Sequence, residues 1–386
     1  MNIVYVLDDL DAAGGIQAVT RAKAAALAAL PGNTVTLVAA NDARPGAAPL
    51  PPGVRSVHLG INYYEDDWKG FLYVLKGIVV KRRRHARDLR RALEALDPDI
   101  VVSVGQAEKF MLPRLARRQP WKTVREYHYA RTYRRDYARL DGSMRARVLA
   151  AVSDWYENAL RRVRYDATVV LTRLDRDANW QGRADVHVIP NLCVYEAESV
   201  STLDNPAAVA VGRLVPFKGF DMLICAWATV AAAHPDWRLD IWGDGPERAR
   251  LETLITELGL TNKVVLRGAG TQVQHEMVQA SLLAFSSHFE GFGMVMVEAM
   301  SCGVPCAAFA CPCGPPDIID HEENGLLAPP GDVAALAAII LRLIENPDER
   351  RKLGAAARQK AARFSAAAVI PQWMDLFRTL MNSSSR

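Results

Sequence analysis

The stretch Ser286-Ser287-His288-Phe289-Glu290-Gly291-Phe292-Gly293-Met294-Val295-Met296-Val297-Glu298-Ala299-Met300 decides how this chain is read. An apolar run over 282–286 has strand character, glycines follow, and 290–300 carries the turn into an apolar helix. A strand that passes through a glycine turn into a helix is the repeating unit of a parallel α/β sheet. The same turn makes an anion site. First-turn N–H groups lack intrahelical partners and the helix dipole is positive at that end, so a diphosphate is favoured there. Gly291 and Gly293 let the backbone approach a ligand closely. Glu290 precedes the turn and Glu298 lies about one and a half turns into the expected helix. A carboxylate cannot hold a phosphate but accepts hydrogen bonds from hydroxyls. Glu290 is therefore read as a holder of sugar hydroxyls and Glu298 of ribose hydroxyls. For two isolated glutamates, an N-cap and a solvated helix position would be the simpler reading, and the surrounding turn reverses that preference.

The same alternation extends outward in both directions. Downstream, strands are expected over 304–309 and 325–327 and a helix over 333–345. Upstream lie strands 208–212, 237–242 and 264–267, with helices 220–234, 247–258 and 273–280 between them. The first half repeats the pattern independently, with strands at 3–7, 34–39, 56–59, 100–104, 123–127, 167–171 and 186–189 and helices at 17–30 and 82–96. The expected organisation is two facing Rossmann-like α/β domains, 1–190 and 191–365, with a cleft between them. A hinge falls near Pro190-Asn191 to Asn205-Pro206, and an amphipathic helix in 366–386 packs back toward the first domain ahead of a polar tail.

Composition narrows the function classes. Half of the 386 residues are hydrophobic, a globular balance. No uncharged apolar run of about 18 residues is present to span a bilayer. The start, MNIVYVLDDLDAAGG, has no basic n-region and reads as a buried strand rather than a signal peptide. Residues 1–190 hold 31 Lys+Arg against 21 Asp+Glu (+10), and residues 191–386 hold 16 against 22 (−6), so the halves suit different partners. The six cysteines, Cys193, Cys225, Cys302, Cys306, Cys311 and Cys313, match no zinc spacing and are read as small core residues and reduced thiols.

Three further strand ends carry candidate chemistry. Val211-Gly212-Arg213-Leu214 followed by Phe217-Lys218-Gly219 brings two cations to one turn, where Arg213 and Lys218 can share a pyrophosphate, although a plain basic turn would look the same. Asp8-Asp9-Leu10-Asp11-Ala12-Ala13-Gly14-Gly15-Ile16 follows the first strand. It lacks G-x-G-x-x-G spacing, but its glycine pair admits a phosphate or a sugar. Its acidic triplet, like Asp97-Pro98-Asp99 and Asp175-Arg176-Asp177, resembles a D-x-D metal site, a pattern common by chance. Arg125-Glu126-Tyr127-His128 ends a strand with a histidine facing the cleft and Glu126 as a competitor for any polar role.

Taken together, Gly14-Gly15-Ile16, Gly212-Arg213-Leu214…Phe217-Lys218-Gly219, Ile189-Pro190-Asn191 and the E-x7-E motif from Glu290 to Glu298 resemble the retaining glycosyltransferase family 4, of GT-B fold. Cys311-Pro312-Cys313-Gly314-Pro315 through Ile319, and Asn324-Gly325-Leu326-Leu327, fit the stretch that helps close that family's donor site. The resemblance covers nearly the whole chain and is most specific over 206–330. It implies Glu290 at the donor sugar and backbone amides of Gly291, Phe292 and Gly293 on sugar hydroxyls. It further implies Met294 and Val295 on phosphate, Glu298 on ribose, Arg213 and Lys218 on the diphosphate, and Gly15 beneath the phosphate or donor sugar. Asn191 and Gly268 complete the donor-binding set, and His128 matches the family's histidine near the reacting sugar. Relatives often have Glu and His adjacent, whereas Tyr127 separates them here.

The activity implied is retaining transfer of a hexose or N-acetylhexosamine from a nucleotide-diphosphate sugar, a UDP-sugar, to a saccharide acceptor that is polyprenyl-linked, in surface-glycan synthesis. No metal or other cofactor is implied, because side-chain cations and amides meet the pyrophosphate. The basic first half, densest at Lys81-Arg82-Arg83-Arg84-His85-Ala86-Arg87 with Arg90 and Arg91 and preceded by the apolar Trp68 and 71–75, reads as a peripheral contact with an anionic membrane from the cytoplasm. A solvated helix beside a buried one fits it equally. Nucleic acid is not an expected partner, since no recognition motif accompanies the charge. Two other readings stay open: a GT-B enzyme that hydrolyses or epimerises nucleotide sugars, and a non-catalytic nucleotide-sugar-binding protein.

Overall fold

The computed structural model describes residues 1–386 apart from 12–13, 64–70, 118, 131, 161–163, 196, 271 and 384–386, and within helices leaves aside the side chains of 71–79, 133–134, 141, 145, 153 and 156–160. Two parallel sheets organise the chain. The first orders its strands β3-β2-β1-β4-β5-β6-β7, where β1 is Asn2–Leu7, β2 Thr34–Ala39, β3 Val54–His58, β4 Ile100–Ser103, β5 Lys122–Glu126, β6 Ala167–Val170 and β7 Val186–Val188. The second orders them β10-β9-β8-β11-β12-β13, where β8 is Ala207–Val211, β9 Arg238–Trp242, β10 Val264–Gly268, β11 Leu282–Phe285, β12 Cys306–Phe309 and β13 Gly325–Ala328.

Helices cover both faces of each sheet, which is why central strands such as β1 and β8 are apolar throughout rather than alternating. Along β1, Ile3, Tyr5 and Leu7 enter one core, while Val4 and Val6 enter the core on the opposite face. The second sheet is treated likewise: Ala208 and Ala210 of β8 face one core and Val209 the other. The helix Ala366–Asn382 buries Val369, Ile370, Trp373, Met374, Phe377 and Leu380 in the core that holds Ile3, Tyr5 and Leu27. The chain therefore returns to the first sheet after building the second.

In each sheet the strand order reverses at one point, between β1 and β4 and between β8 and β11. Diverging crossovers leave a crevice at the carboxyl ends there. The described loop residues at those points are 8–11, 14 and 104–111 in the first half and 212–219 and 286–293 in the second, so topology puts Gly14, Arg213, Lys218 and Glu290 at the two crevices.

Several local expectations change. The helix expected over 82–96 spans Phe71–Leu96, and its charged half had hidden its apolar start. The turn expected to lead into a helix within 290–300 ends at Gly293, whose φ of 103° no right-handed turn accommodates, and the helix begins at Met294. Between β5 and β6, where no element is expected, stand the helices Tyr133–Asp141 and Met144–Leu160, and a further helix spans Pro347–Ala361. The acidic triplets serve the scaffold. Asp8 accepts the Gln106 and Ala107 N–H groups at 2.8 and 3.0 Å, Asp99 the Asn2 N–H at 2.7 Å, and Asp175 the side chains of Asn179 and Trp180.

Candidate active site

The turns after β8 and β11 are laced together by glycine. Gly219 sits in the left-handed region at φ 62°, and a Cβ there would meet the Ser286 carbonyl oxygen at 2.3 Å. Only glycine satisfies both conditions. Ser286 Oγ donates to the Lys218 carbonyl at 3.0 Å, and the His288 N–H donates to the Phe217 carbonyl at 2.8 Å. The rings of Phe217 and Phe289 stack with centroids 5.2 Å apart. This lacing delivers Lys218 to Glu290: Nζ lies 2.5 Å from Oε1, and the same oxygen accepts from Ser287 Oγ at 2.7 Å. The two residues read as diphosphate and sugar contacts thus form one partly buried ion pair.

Because the helix is Met294–Ser301, Glu290 stands four residues ahead of it and is not its N-cap, a place Gly293 takes. The amides of Met294 and Val295 fall in the first turn, where no carbonyl within the helix can accept from them. Glu298 lies in the second turn, with no hydrogen-bond partner for its carboxyl among the described residues. Burial pushes that carboxyl above the usual glutamate range.

The first half meets this turn at His128. A Cβ on Gly291 would lie 2.1 Å from the His128 carbonyl oxygen and 3.1 Å from Tyr129 Cα, so the two backbones touch through the hydrogen of a glycine. Burial, then the charge of Glu290, hold the Tyr129 phenol above its ordinary value, which marks how near it lies to that carboxylate. The His128 ring is turned inward. Its side chain is 3 % exposed, and Nε2 is 3.2 Å from Glu126 Oε1, an ion-pair contact without hydrogen-bond alignment. The expected cleft-facing histidine therefore presents its carbonyl, not its ring, to the glycine turn. Glu126 is held well below the usual carboxylate range: burial opposes ionisation, but Lys23 and His128 outweigh it.

The loop after β12 closes over the same place. A Cβ on Gly314 would meet the Phe292 carbonyl at 2.6 Å and Glu290 Cβ at 3.0 Å. Asp317 accepts the N–H groups of Arg173 and Leu174 at 3.0 and 3.1 Å, capping a first-half helix, Arg173–Asn179, from the second half. Arg213 is exposed, with no carboxylate partner among the described residues. Gly15 opens the helix Gly15–Ala28, and a Cβ there would meet nothing within 4 Å. Asn191 is buried with Oδ1 lacking a hydrogen bond, and the Gly268 carbonyl accepts the Gly243 N–H at 2.9 Å, tying β10 to β9. All six cysteines are free, and among the described residues no His, Cys, Asp and Glu cluster is arranged for a metal ion.

Sequence reasoning missed Lys23, Ser287 and Asp317. Lys23 carried a usable signal: it shares a helix face with Val19, Thr20, Ala24 and Leu27, and a lysine on a buried face needs a counter-charge.

Two family models decide the assignment. One, described as glycosyl transferases group 1, matches residues 195–360, and the other, a glycosyl transferase 4-like domain, matches residues 14–192. The chain belongs to the group 1 glycosyltransferases. The chain is 34 % identical over 304 residues, 76 % of its length, to an exopolysaccharide phosphotransferase of Streptomyces coelicolor, of which it covers 30 %. It is 33 % identical over 210 residues, 52 % of its length, to the lipopolysaccharide core biosynthesis glycosyltransferase LpsD of Rhizobium meliloti, of which it covers 59 %. The chain thus spans about a third to three-fifths of the curated relatives it matches. Among solved structures, sucrose-phosphate synthase from Thermosynechococcus elongatus superposes with a TM-score of 0.80 at 22 % identity, covering all of both chains. These matches make the chain's fold GT-B.

One buried acid beneath the first crevice titrates in an accessible range. Glu108 accepts from Ser103 Oγ at 2.7 Å and lies 3.6 Å from Arg125. Burial, reinforced by Asp8 and opposed by Arg125, pushes its carboxyl up to about 7. The unfolded chain releases this proton in the ordinary glutamate range and the folded chain holds it to about 7. Stability is therefore lost as pH rises between those values, and the loss is complete above the upper one. Glu108→Gln should raise stability at pH 8 by on the order of 2–3 kcal/mol and far less at pH 5. Urea midpoints at the two pH values measure this, and an equal gain at both would contradict it.

Proposed function

We propose that this glycosyltransferase moves a hexose or N-acetylhexosamine from a UDP-sugar to a saccharide acceptor, with retention of anomeric configuration, in the assembly of a surface polysaccharide. The observation that carries the proposal is the Lys218–Glu290 pair set against the glycine turn that opens the helix Met294–Ser301. A nucleotide diphosphate suits the first-turn amides of Met294 and Val295, and Lys218 and Arg213 offset the charge of the departing diphosphate. Glu290 and the Gly291–Gly293 backbone receive the sugar, and Glu298 the ribose. Attack from the donor's own face lets the leaving phosphate oxygen take the acceptor's proton, so no protein nucleophile is needed. Gly15, Asn191 and Gly268 complete the donor surface in this reading.

Support comes from proteins of the same fold. A Staphylococcus aureus TarM variant was crystallised with UDP, α-GlcNAc-glycerol and fondaparinux, and matches with a TM-score of 0.75 at 16 % identity over 99 % of this chain and all of that one. A relative that is 29 % identical over 168 residues is a poly(ribitol-phosphate) α-N-acetylglucosaminyltransferase. The test is a panel of UDP- and GDP-sugars with a polyprenyl-diphosphate-linked saccharide, with and without EDTA. Transfer from a UDP-sugar at equal rates in both, with retained configuration by NMR, is expected. Binding without turnover would favour a nucleotide-sugar-binding protein, and free sugar in excess of transfer a hydrolase. Glu298→Ala should weaken UDP itself by about 10- to 30-fold, or about 1.4–2 kcal/mol. Titration calorimetry reads this directly, and an unchanged affinity would remove Glu298 from the nucleotide site.

A lipid-linked acceptor places the enzyme at a membrane from its cytoplasmic side. No helix among the described residues is long and apolar enough to cross one. The helix Met144–Leu160 supports contact with a surface instead: Met144, Val148, Val152 and Trp155 are 72, 55, 56 and 70 % exposed and share one stripe. The preceding helix Tyr133–Asp141 touches the Pro216–Lys218 turn, which sets the stripe near the cleft. Arg82, Arg83 and Arg84 are exposed as well, while the apolar residues expected beside them, Trp68 and the side chains of 71–75, fall outside the described set. Val148→Glu with Trp155→Glu should cut co-sedimentation with phosphatidylglycerol vesicles at least about fivefold. Unchanged sedimentation there and in a charge-neutral Arg82, Arg83, Arg84 variant would sink the membrane reading.

A further inference from the structure

A buried ionic group stands behind His128. Lys23, on the inner face of the helix Gly15–Ala28, forms an ion pair with Glu126 Oε1, and the two side chains are 2 and 1 % exposed. The same oxygen lies 3.2 Å from His128 Nε2. Above the ammonium sit two rings, Trp373 at 4.2 Å and Tyr5 at 5.5 Å from their centroids, so the C-terminal helix Ala366–Asn382 seals the group from water. As scaffold this is an expensive arrangement, since well-packed apolar side chains of similar volume are usually at least as stable as a buried ion pair. It is also unfinished: Glu126 Oε2 and His128 Nε2 make no hydrogen bond. A carboxylate whose charge is already met by a lysine, beside a ring nitrogen it does not yet engage, suits the orientation of an imidazole.

We propose that Glu126 is the positioning residue of His128, with Lys23 as its buried counter-charge. The carboxylate keeps the imidazole proton on Nε2 and sets the ring, and with it the His128 carbonyl that touches Gly291. This rests on the proposed function, in which the His128 backbone at Gly291 borders the sugar. The group draws on three parts of the chain: the first helix, the end of β5 and the C-terminal helix.

The test uses the full chain labelled with 15N-histidine and saturated with UDP. Eight histidines are present, so the His128 signals are assigned by their loss in His128→Gln. Wild type should show one ring state with the proton on Nε2. Lys23→Met combined with Glu126→Leu removes both charges together, so it should melt within a few degrees of wild type yet show a mixture of ring tautomers. An unchanged His128 ring in that folded double variant would overturn the proposal. Should it fail to fold, Glu126→Gln and Glu126→Asp carry the same comparison, with aspartate expected to keep the wild-type ring state and glutamine to lose it. In turnover over the UDP-sugar panel, kcat should fall about 10- to 100-fold with donor KM within about threefold, and Glu126→Asp should recover most of it. Wild-type kcat in the double variant would make the pair purely structural. If His128→Gln itself turns over normally, the reading of His128 fails, while the ring spectra still decide the role of Glu126.

Discussion

Glu290→Ala should lower transfer about 10³-fold, some 4 kcal/mol of transition-state stabilisation, while UDP binds within about threefold of wild type. Three features concentrate the effect. The carboxylate is held by Lys218 and Ser287, so its position is defined before any ligand arrives. Gly314 packs so close that a Cβ there would stand 3.0 Å from Glu290 Cβ, so the loop after β12 hems in the side chain's base. Removing the acid also strips Lys218 of its partner at the very cation expected on the diphosphate. UDP lacks the sugar, so its affinity should be spared, and kcat with calorimetry on the same preparation separates the two. A variant that loses UDP binding in step with turnover would move Glu290 from the sugar to the nucleotide.

Gly291→Ala should reduce kcat/KM at least about 10²-fold with little change in melting temperature. The added methyl would stand 2.1 Å from the His128 carbonyl and 3.1 Å from Tyr129 Cα, and both are backbone, so neither can rotate away. Gly291 is not among the residues with positive φ, so alanine is conformationally acceptable there and the cost is one of space alone. Relief requires the two turns to separate by about an ångström, a displacement sufficient to spoil alignment across a cleft. The cores that hold Ala210 and Ile3 do not include this turn, and the neighbouring Phe292 is buried in the core that holds Val209. Wild-type kcat/KM would mean that the turns at His128 and Gly291 do not touch in the working enzyme.

Much of the architecture was legible because the central strands are buried on both faces. Runs such as Ile3–Leu7 and Val209–Val211 have no polar alternation to confuse them, and the glycine turns punctuate them. The helices Tyr133–Asp141 and Met144–Leu160 were not legible for the opposite reason. Val148, Val152 and Trp155 point into solvent, so their pattern does not mark an inner face. The candidate site divides the same way. Glu290, Glu298, Lys218 and the glycines announce themselves by position at strand-to-helix turns. Lys23 and Glu126 do not, being 103 residues apart in sequence and joined only when the first helix lies over β5.

Sequence alone determined that two parallel α/β sheets would form, that glycine-containing turns would stand at their carboxyl ends, and which glutamates would flank the second-half turn. These follow from periodicity and from the conformations open to glycine, both of which are local. Tertiary structure decided the rest. It fixed the helix start at Met294, through the left-handed Gly293. It paired Lys218 with Glu290, turned the His128 carbonyl rather than its ring toward Gly291, and buried Lys23 against Glu126 beneath Trp373. Each of these joins residues from separate crossovers. Such contacts depend on how close two backbones can come and on which charges burial forces together, and no stretch of neighbouring residues records either.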